Sequence, residues 1–331
     1  MQPIQLEVAV GKEPVRAEDL HRALDTELSK MRSGTDWCKW MDAAASFPTF
    51  GFGNVVLINL QMPQASWVAH ANTWRRLGRE VKPPLAIRIL YPVRSRTAVA
   101  AAMEDALGSA SEKQRTGGQI EQQVIGFQVG VVYDVTGTVG PPLALPPLPA
   151  TASATVAKRL WNALTREAGA DGFTVDIRPT GDASEGCTDH KAKRIVIADH
   201  LDDFRAVERL AHEVAHARLH SSAETGESAS VLCRGIREVE AESVAHVVLA
   251  HHGLSFDAQS FEYLVGWAHH IDPEQPGNVI KATGARVVDT TRTLIKSTDR
   301  FLKAHRPALS SVPARPLGSV LIAPDLDGPI R

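Results

Sequence analysis

The feature that most constrains this chain is a proline-rich stretch near its middle. Residues 135–157 read VTGTVGPPLALPPLPATASATVA, with no charged residue and with five prolines between Pro141 and Pro149. The stretch is as long as a membrane span, but proline fixes its backbone angle and lacks the N–H that a helix needs. We therefore interpret its centre, residues 139–154, as a linker between two domains.

The linker predicts a first domain at residues 15–138 and a second at 155–305, followed by a proline-rich, poorly ordered tail at 306–331. The chain has 331 residues, 44% of them hydrophobic and 22% charged, as in ordinary globular proteins. Its three cysteines have no paired spacing, which argues against a disulfide framework and favours a reducing compartment. The N-terminus has no signal-peptide pattern, so we expect a soluble, cytoplasmic protein.

Periodicity in the first half predicts a small α+β domain. Residues 15–47 have helical spacing, and the alternating segments 83–93 and 124–135 are typical of strands. The polar segment 108–119 between the strands is rich in Gly and Ser and predicts a loop.

The second half is predicted to be mainly helical with a small sheet. FTVDIRP and AKRIVIAD are typical of strands. Helices are predicted at about 203–220, 236–252, 256–271 and 286–304. The predicted fold class of the whole chain is therefore α+β.

The segment RLAHEVAHARLH contains His212-Glu213-x-x-His216. Residues four apart share one face of a helix, so both imidazoles can point at one metal ion. Zinc is the metal typically held this way, and Glu213 could then take a proton from water, which is the chemistry of peptide hydrolysis. The alternative is a helix that carries two histidines by coincidence.

A catalytic zinc needs a third protein ligand, and the next long helix offers one. Its sequence REVEAESVAHVV places Glu238 and Glu242 four residues apart on one face. We predict Glu238 as the third ligand and Glu242 as the hydrogen-bond acceptor that orients a ligating histidine. The alternative is a solvated acidic stripe.

The segment 66–96 is basic, with seven Lys and Arg residues against the single acid Glu80. Aromatic residues are interleaved with the charges. A basic groove with exposed rings is what binding of single-stranded DNA requires. The alternative is a small core with a solvated basic face. The predicted DNA-binding residues are Trp67, Trp74, Arg75, Arg76, Arg79, Lys82 and Arg88.

The second half, over roughly 155–300, resembles the ImmA/IrrE-type metallopeptidases and the metallopeptidase half of ArdC-type antirestriction proteins. The motifs LAHEVAHARLH and REVEAESVAHVV carry the resemblance. It implies a gluzincin-like zinc site, with His212, His216 and Glu238 as ligands and Glu213 as base. His246 stands where such proteins commonly have tyrosine, and is either a transition-state group or a packed helix histidine.

The first half resembles the single-stranded-DNA-binding domain of ArdC-type proteins. The segments NVVLINLQMPQASWVAHANTWRRLGREV and VGVVYDVTGT carry this resemblance, whereas KPPLA and FGFGN depart from the family pattern. Asn54 and Gln61 belong to the matching positions but could equally be internal hydrogen-bonding residues, and Trp74 could be part of the core.

These features together predict a zinc-dependent metallopeptidase coupled to a single-stranded-DNA-binding domain and acting on an unidentified protein. No membrane partner is expected. The alternative is a non-proteolytic, DNA-binding antirestriction protein in which the metal is structural or accessory.

Overall fold

The structure is a computed structural model of the whole chain. It describes the following residues: 15–31, 33–96, 122–143, 154–180, 185–220, 231–254, 268 and 271–305.

Three helices open the first half: α1 (Ala17–Ser29), α2 (Gly34–Ser46) and α3 (Phe52–Gln61). Leu20, Leu24 and Leu28 recur every fourth residue of α1 and are buried, so one face of this helix packs into the core. A capping box starts α2, because Ser33 Oγ accepts the N–H of Asp36 and the Asp36 carboxylate accepts the N–H of Ser33.

Two long strands, three short strands and one short helix follow in the described residues: β1 (Val68–Ala69), α4 (Ala71–Arg76), β2 (Glu80–Val81), β3 (Ala86–Arg96), β4 (Gln122–Asp134) and β5 (Thr138–Val139). The antiparallel order is β1–β4–β3 in one sheet, while β2 pairs with β5 in another. The long β3–β4 ribbon carries a register shift between Val93 and Arg94. Strand β3 is an edge strand of its sheet.

Two side-chain amides bind α3 to that edge. The Asn54 amide donates to the Leu90 carbonyl and accepts the Leu90 N–H, both at 2.9 Å. Two turns later Gln61 forms the same pair with the backbone of Arg88, at 2.8 and 2.9 Å. These bonds satisfy edge groups that would otherwise be open to another strand. Asn54 and Gln61 are therefore internal hydrogen-bonding residues.

The second half contains α5 (Ala154–Ala170), β6 (Thr174–Arg178), β7 (Gly186–Asp189), β8 (Arg194–Ala198), α6 (Asp203–Leu219), α7 (Val231–His251) and α8 (Pro276–Ala304). Strand β8 lies in the centre of a three-stranded sheet, parallel to β6 and antiparallel to β7. Helix α6 packs against β7, β8 and α7. The sheet and α7 thus flank the helix that carries both histidines of the motif.

The two halves share one continuous core. The indole N–H of Trp37 on α2 donates to Ser243 Oγ on α7 at 2.8 Å, and Trp37 is fully buried. On α8, a Cβ added at Gly284 would lie 2.5 Å from the Phe52 ring, so only glycine permits this approach of α3 to α8. The division into two domains at the linker stays a prediction, since helices of both halves pack directly together.

The predicted α+β class is confirmed, with a mainly helical second half. The helical run predicted at 15–47 is two helices, because the Ser33 cap starts a new one. The last helix begins at Pro276 rather than at residue 286, which is possible because proline is tolerated in a first helical turn. Residues 52–61, for which periodicity predicted no helix, form α3.

The predicted loop at 108–119, most of the linker, most of the predicted helix at 256–271 and the tail from 306 lie outside the described residues. Within the described part of the chain, every helix is too short or too polar to cross a bilayer.

Candidate metal centre

Helix α6 holds His212 and His216 in a fixed relationship. Asp202 caps the helix by accepting the N–H groups of Phe204 and Arg205 at 3.0 and 2.9 Å. The two histidines lie one turn apart, and their Nε2 atoms are 3.0 Å from each other. His212 is only 5% exposed. The helix thus directs two imidazole nitrogens to one point.

Glu238 on α7 completes a group of three converging donors. Its carboxylate oxygens lie 3.3 Å from His212 Nε2 and 3.5 Å from His216 Nε2, and one ligand atom from each residue falls within 4.8 Å of the others. Ligands about 2.0–2.1 Å from a tetrahedral zinc ion lie about 3.3 Å apart. The donor set and its spacing therefore fit a small divalent cation. The Glu238 side chain is 65% exposed, so the site opens towards solvent.

Glu242 orients His212. The Nδ1–H of His212 donates to Glu242 Oε2 at 2.9 Å. An ionised carboxylate can only accept, so this bond places the proton of a neutral His212 on Nδ1 and leaves the Nε2 lone pair for a cation. Glu238 and Glu242 both contact His212 on α6, with Glu242 largely buried and Glu238 exposed on its outer side.

His212 and Glu238 shift each other's pKa in opposite directions. The hydrogen bonds from His212, and then those from His216, hold the pKa of the Glu238 carboxyl well below its usual range, against the effect of burial. Burial by itself lowers the pKa of His212, but Glu238 and Glu242 outweigh it and raise that pKa to about 9. A proton and a metal ion therefore compete for the same ring nitrogen.

Glu213 lies between the two histidines in the sequence, and a residue of the sheet holds its side chain in place. The Thr188 hydroxyl on β7 lies 2.7 Å from Glu213 Oε2 and 3.0 Å from its backbone carbonyl oxygen. Gly186 lets the strand come this close, since a Cβ there would meet Arg209 at 2.8 Å and Glu213 Oε1 at 3.1 Å. The sequence did not point to Thr188 or Gly186, because both lie on a separate strand.

A further series of hydrogen bonds leads away from His216. Its Nδ1 lies 3.0 Å from His220 Nδ1, and His220 Nε2 lies 3.1 Å from Glu240 Oε2. Arg286 on α8 donates to the other oxygen of Glu240 through Nε and Nη2. The four-residue spacing of His212, His216 and His220 was a signal for the first link. Nothing in the sequence connected residue 240 with residue 286.

His246 bonds to the first half of the chain. Its Nε2 lies 2.7 Å from the Asp42 carboxylate of α2, and the residue is 8% exposed. The structure therefore places this histidine at the junction of α2 and α7. Its role as a transition-state group stays a prediction.

The residues predicted to bind DNA fall into two groups. Trp74 is 2% exposed and its indole N–H donates to the Tyr133 carbonyl, so its ring belongs to the core. The Arg79 guanidinium donates to Thr138 Oγ1 and to backbone carbonyls around it. These two residues act inside the domain. Of the others, Trp67 and Arg88 are half-buried, and Arg75, Arg76 and Lys82 are exposed.

Comparisons with known proteins found one family model and matching solved structures. A family model described as Peptidase_M78, the IrrE N-terminal-like domain, matches residues 171–255. The metal-free crystal structure of the antirestriction protein ArdC from plasmid R388 matches with 16% identity and a TM-score of 0.42, over 76% of this chain and 85% of that chain. The Mn(II)-bound structure of ArdC matches with 14% identity and a TM-score of 0.45, over 77% and 86%. The comparison with curated proteins returns no match.

The Peptidase_M78 match begins before β6 and ends just after α7, so it contains the three converging donors, Glu213 and Thr188. Residues 171–255 are therefore similar to the IrrE N-terminal-like domain that the Peptidase_M78 model describes.

Proposed function

We propose that this protein is a zinc-dependent metallopeptidase whose first half binds single-stranded DNA. The observation that carries the peptidase proposal is one arrangement of side chains. His212, His216 and Glu238 converge within 4.8 Å, and the carboxylate of Glu213 is held beside them by Thr188.

Two imidazoles and one carboxylate are a typical ligand set of catalytic zinc, which leaves a fourth position open. A bound zinc ion would polarise the substrate carbonyl and make a neighbouring water more acidic. Glu213 would then serve as the base for that water and as the proton donor to the leaving amine. Thr188 holds the Glu213 carboxylate in place, and Glu242 keeps the His212 lone pair directed at the site.

The first experiment measures metal content by elemental analysis of purified wild type, His216→Ala and Glu213→Gln, after zinc or manganese is supplied. We expect about one zinc per chain in wild type and in Glu213→Gln. His216→Ala should contain none. Wild type without metal after both supplements would contradict the proposal. Retention of manganese but not zinc would contradict the assignment of zinc.

Proteolysis is tested separately, by N-terminal proteomics of cells that express wild type or Glu213→Gln. Cleavage predicts new protein N-termini that occur only with wild type. If both proteins retain zinc and produce the same set of N-termini, then the metal is structural or accessory. The protein would then act by binding, as a non-proteolytic antirestriction protein.

The proposal of DNA binding is supported by exposed cations and an exposed ring. Arg75 and Arg76 are exposed at the end of α4. On the β3–β4 ribbon Phe127 is 46% exposed. Phe127 lies opposite Pro92, and Arg88 lies four residues before Pro92 on the same strand. Because side chains alternate between the two faces of a strand, Phe127 and Arg88 lie on the same face of the ribbon. Rings and cations of this kind bind splayed bases and phosphates.

Direct packing between the halves supports a coupling of DNA binding to proteolysis. Helix α2 packs on α7, the helix that carries Glu238, through Trp37–Ser243 and Asp42–His246. We propose that bound DNA places the peptidase on its protein target or makes it active. If a single-stranded oligonucleotide changes neither the rate of cleavage nor the choice of target, this coupling is wrong.

A further inference from the structure

Hydrogen bonds around His216 extend across three helices and have a defined direction. His216 lies on α6, His220 ends that helix, Glu240 lies on α7 and Arg286 on α8. Consecutive members are within hydrogen-bond distance of each other. We name His220, Glu240 and Arg286 the α8 relay.

The direction follows from the charged end of the relay. Glu240 is 3% exposed, and Arg286 donates to its Oε1 through two nitrogens. Two donations from one guanidinium fix the position of the Glu240 carboxylate, whose oxygens can only accept. Its second oxygen, Oε2, is then an acceptor only, and it faces His220 Nε2 at 3.1 Å.

The proton positions of both histidines follow. Since Glu240 accepts, His220 carries its proton on Nε2, and a neutral His220 has its lone pair on Nδ1. That lone pair faces His216 Nδ1 at 3.0 Å. Two nitrogens at this distance need one donor and one acceptor, so His216 carries its proton on Nδ1. Its lone pair is then on Nε2, the atom that faces His212 and Glu238.

We infer that the α8 relay sets the tautomer and ring orientation of His216 and thereby prepares Nε2 to bind the cation. The two ligating histidines are oriented by different routes. His212 donates directly to Glu242, whereas His216 depends on a second histidine, a buried carboxylate and an arginine of α8. Arg286 lies beyond the matched segment 171–255, so the site also depends on a helix outside that segment.

The relay residues are positioning residues, because they act on the metal site through His216. The inference rests on the proposed metal site, and its test is designed to separate the two. The variants are His220→Gln, Glu240→Gln and Arg286→Ala, with Arg286→Lys as the conservative change. Arg292→Ala is the control, since Arg292 is also on α8 and pairs locally with Asp289.

The first measurement is zinc affinity by competition with a chromophoric chelator. Loss of an outer hydrogen-bond partner typically weakens metal binding about 10–100-fold. We expect a loss in this range for His220→Gln and Glu240→Gln, a smaller loss for Arg286→Lys than for Arg286→Ala, and no change for Arg292→Ala. The double variant His220→Gln/Glu240→Gln should lose no more zinc affinity than the single variant that binds zinc more weakly. The reason is that both residues act through one chain of hydrogen bonds.

The second measurement needs no metal. Selective ¹⁵N-histidine labelling and long-range ¹H–¹⁵N spectra of the metal-free wild type at pH 8 report which ring nitrogen carries the proton. We expect the neutral His216 ring to carry its proton on Nδ1 in wild type. The fraction of this tautomer should be smaller in Glu240→Gln. A His216 proton on Nε2, or folded relay variants with the zinc affinity of wild type, would overturn the inference. Absence of zinc from wild type would refute the metal site alone, because the tautomer is read without it.

Discussion

The hydroxyl of Thr188 lies 2.7 Å from the carboxylate of Glu213, and this hydrogen bond joins the edge strand β7 to the motif helix α6. Glu213 is 4% exposed, so few orientations are open to its side chain. The strand therefore holds the proposed base in position.

Replacement of Thr188 by valine should slow proteolysis and leave zinc binding intact. A hydrogen bond to a charged group contributes about 1.5–3 kcal/mol, which corresponds to a loss of about 10–100-fold in kcat/KM. The measurement is cleavage of a substrate found by the proteomic comparison. Thr188→Ser, which keeps the hydroxyl, should retain most of the activity. An unchanged rate in Thr188→Val would show that the hydrogen bond is only structural.

Removal of the Glu242 carboxylate should weaken zinc binding. Glu242→Ala leaves the His212 Nδ1–H, now bonded at 2.9 Å, without its acceptor, and losses of about 10–100-fold in metal affinity are typical. Chelator competition measures this loss. Glu274→Ala, at an exposed position before α8, is the control. Equal zinc affinity in both variants would contradict the orienting role of Glu242.

Truncation of Trp37 should destabilise both halves of the chain together. The residue is fully buried and donates to Ser243, and large-to-small changes of buried tryptophan cost about 3–5 kcal/mol. Chemical denaturation followed by far-UV circular dichroism measures the free energy of unfolding. Trp67→Ala, at a half-buried position, should lower the free energy of unfolding by less. Separate transitions in wild type, only one of them shifted in Trp37→Ala, would show that the halves unfold independently.

Reversal of the exposed charges on α4 should weaken DNA binding and reduce its dependence on salt. For single strands the slope of log affinity against log salt changes by about 0.7 for each phosphate that the protein no longer neutralises. Arg75→Glu/Arg76→Glu should reduce the slope by about 1.4. Phe127→Ala should weaken binding with an unchanged slope, since it removes stacking only. The measurement is fluorescence anisotropy of a labelled oligothymidine.

Two control variants complete the DNA experiment. Arg22→Glu, on α1 and paired with Asp19, should bind as wild type does. If Arg22→Glu lost as much DNA affinity as Arg75→Glu/Arg76→Glu, then the effect would come from net charge in general and not from α4. Trp74→Phe should also bind normally once folded, because the Trp74 ring is buried. A selective loss of DNA binding in Trp74→Phe would contradict that interpretation.

His252 should make the protein less stable as the pH falls. Burial, followed by the nearby His251, lowers the pKa of His252 to about 4, against about 6.5 in an unfolded chain. The unfolded state therefore binds the proton more tightly between these values. The contribution of His252 is full above pH 6.5 and is lost as the pH falls towards 4, by at most about 1.4 kcal/mol per pH unit.

The neighbours of His252 titrate differently. Burial acts to lower the pKa of His251, but hydrogen bonds with Asp299 and with the Ala45 carbonyl raise it, and Lys303 opposes them. The stability from His251 is therefore present at low pH and lost as the pH rises through that raised value. Burial acts to raise the pKa of Asp299, but the hydrogen bond from His251 and the nearby charges of His251, His252 and Lys303 together outweigh it, so that this pKa is lowered.

A single substitution separates these effects. His252→Gln can still donate to Thr298, which accepts from His252 Nε2 at 2.9 Å, but it cannot titrate. The difference in unfolding free energy between wild type and His252→Gln should shift in favour of the variant from pH 7 to pH 5. His305→Gln, at an exposed position, is the control for the loss of one histidine. A pH-independent difference for His252→Gln would contradict the lowered pKa.

Local periodicity was enough to predict the two long helices of the site, α6 and α7, and one part of the site itself. The spacing of His212 and His216 places both rings on one face of any helix they form. The pair Glu238 and Glu242 was predicted for the same reason, and α7 presents both to α6. The α+β class followed from helical spacing and from alternating strands.

Long-range packing decided the remaining features. Trp74 has the sequence neighbours of an exposed stacking residue, but the sheet covers its ring and Tyr133 accepts its N–H. Arg79 has the charge to bind a phosphate, but its guanidinium donates to Thr138 Oγ1 inside the domain. Composition reports which side chains are available, whereas packing determines which of them reach solvent.

The sequence by itself determined that two histidines and a glutamate share one helix, because helical geometry depends only on neighbours along the chain. The tertiary structure alone decided that Thr188 holds Glu213 and that Glu240 and Arg286 extend the bonds of His216. Thr188 and Glu213 are 25 residues apart, and Glu240 and Arg286 are 46 apart. Such pairings depend on how separate helices and strands pack, and no local pattern of residues records that packing.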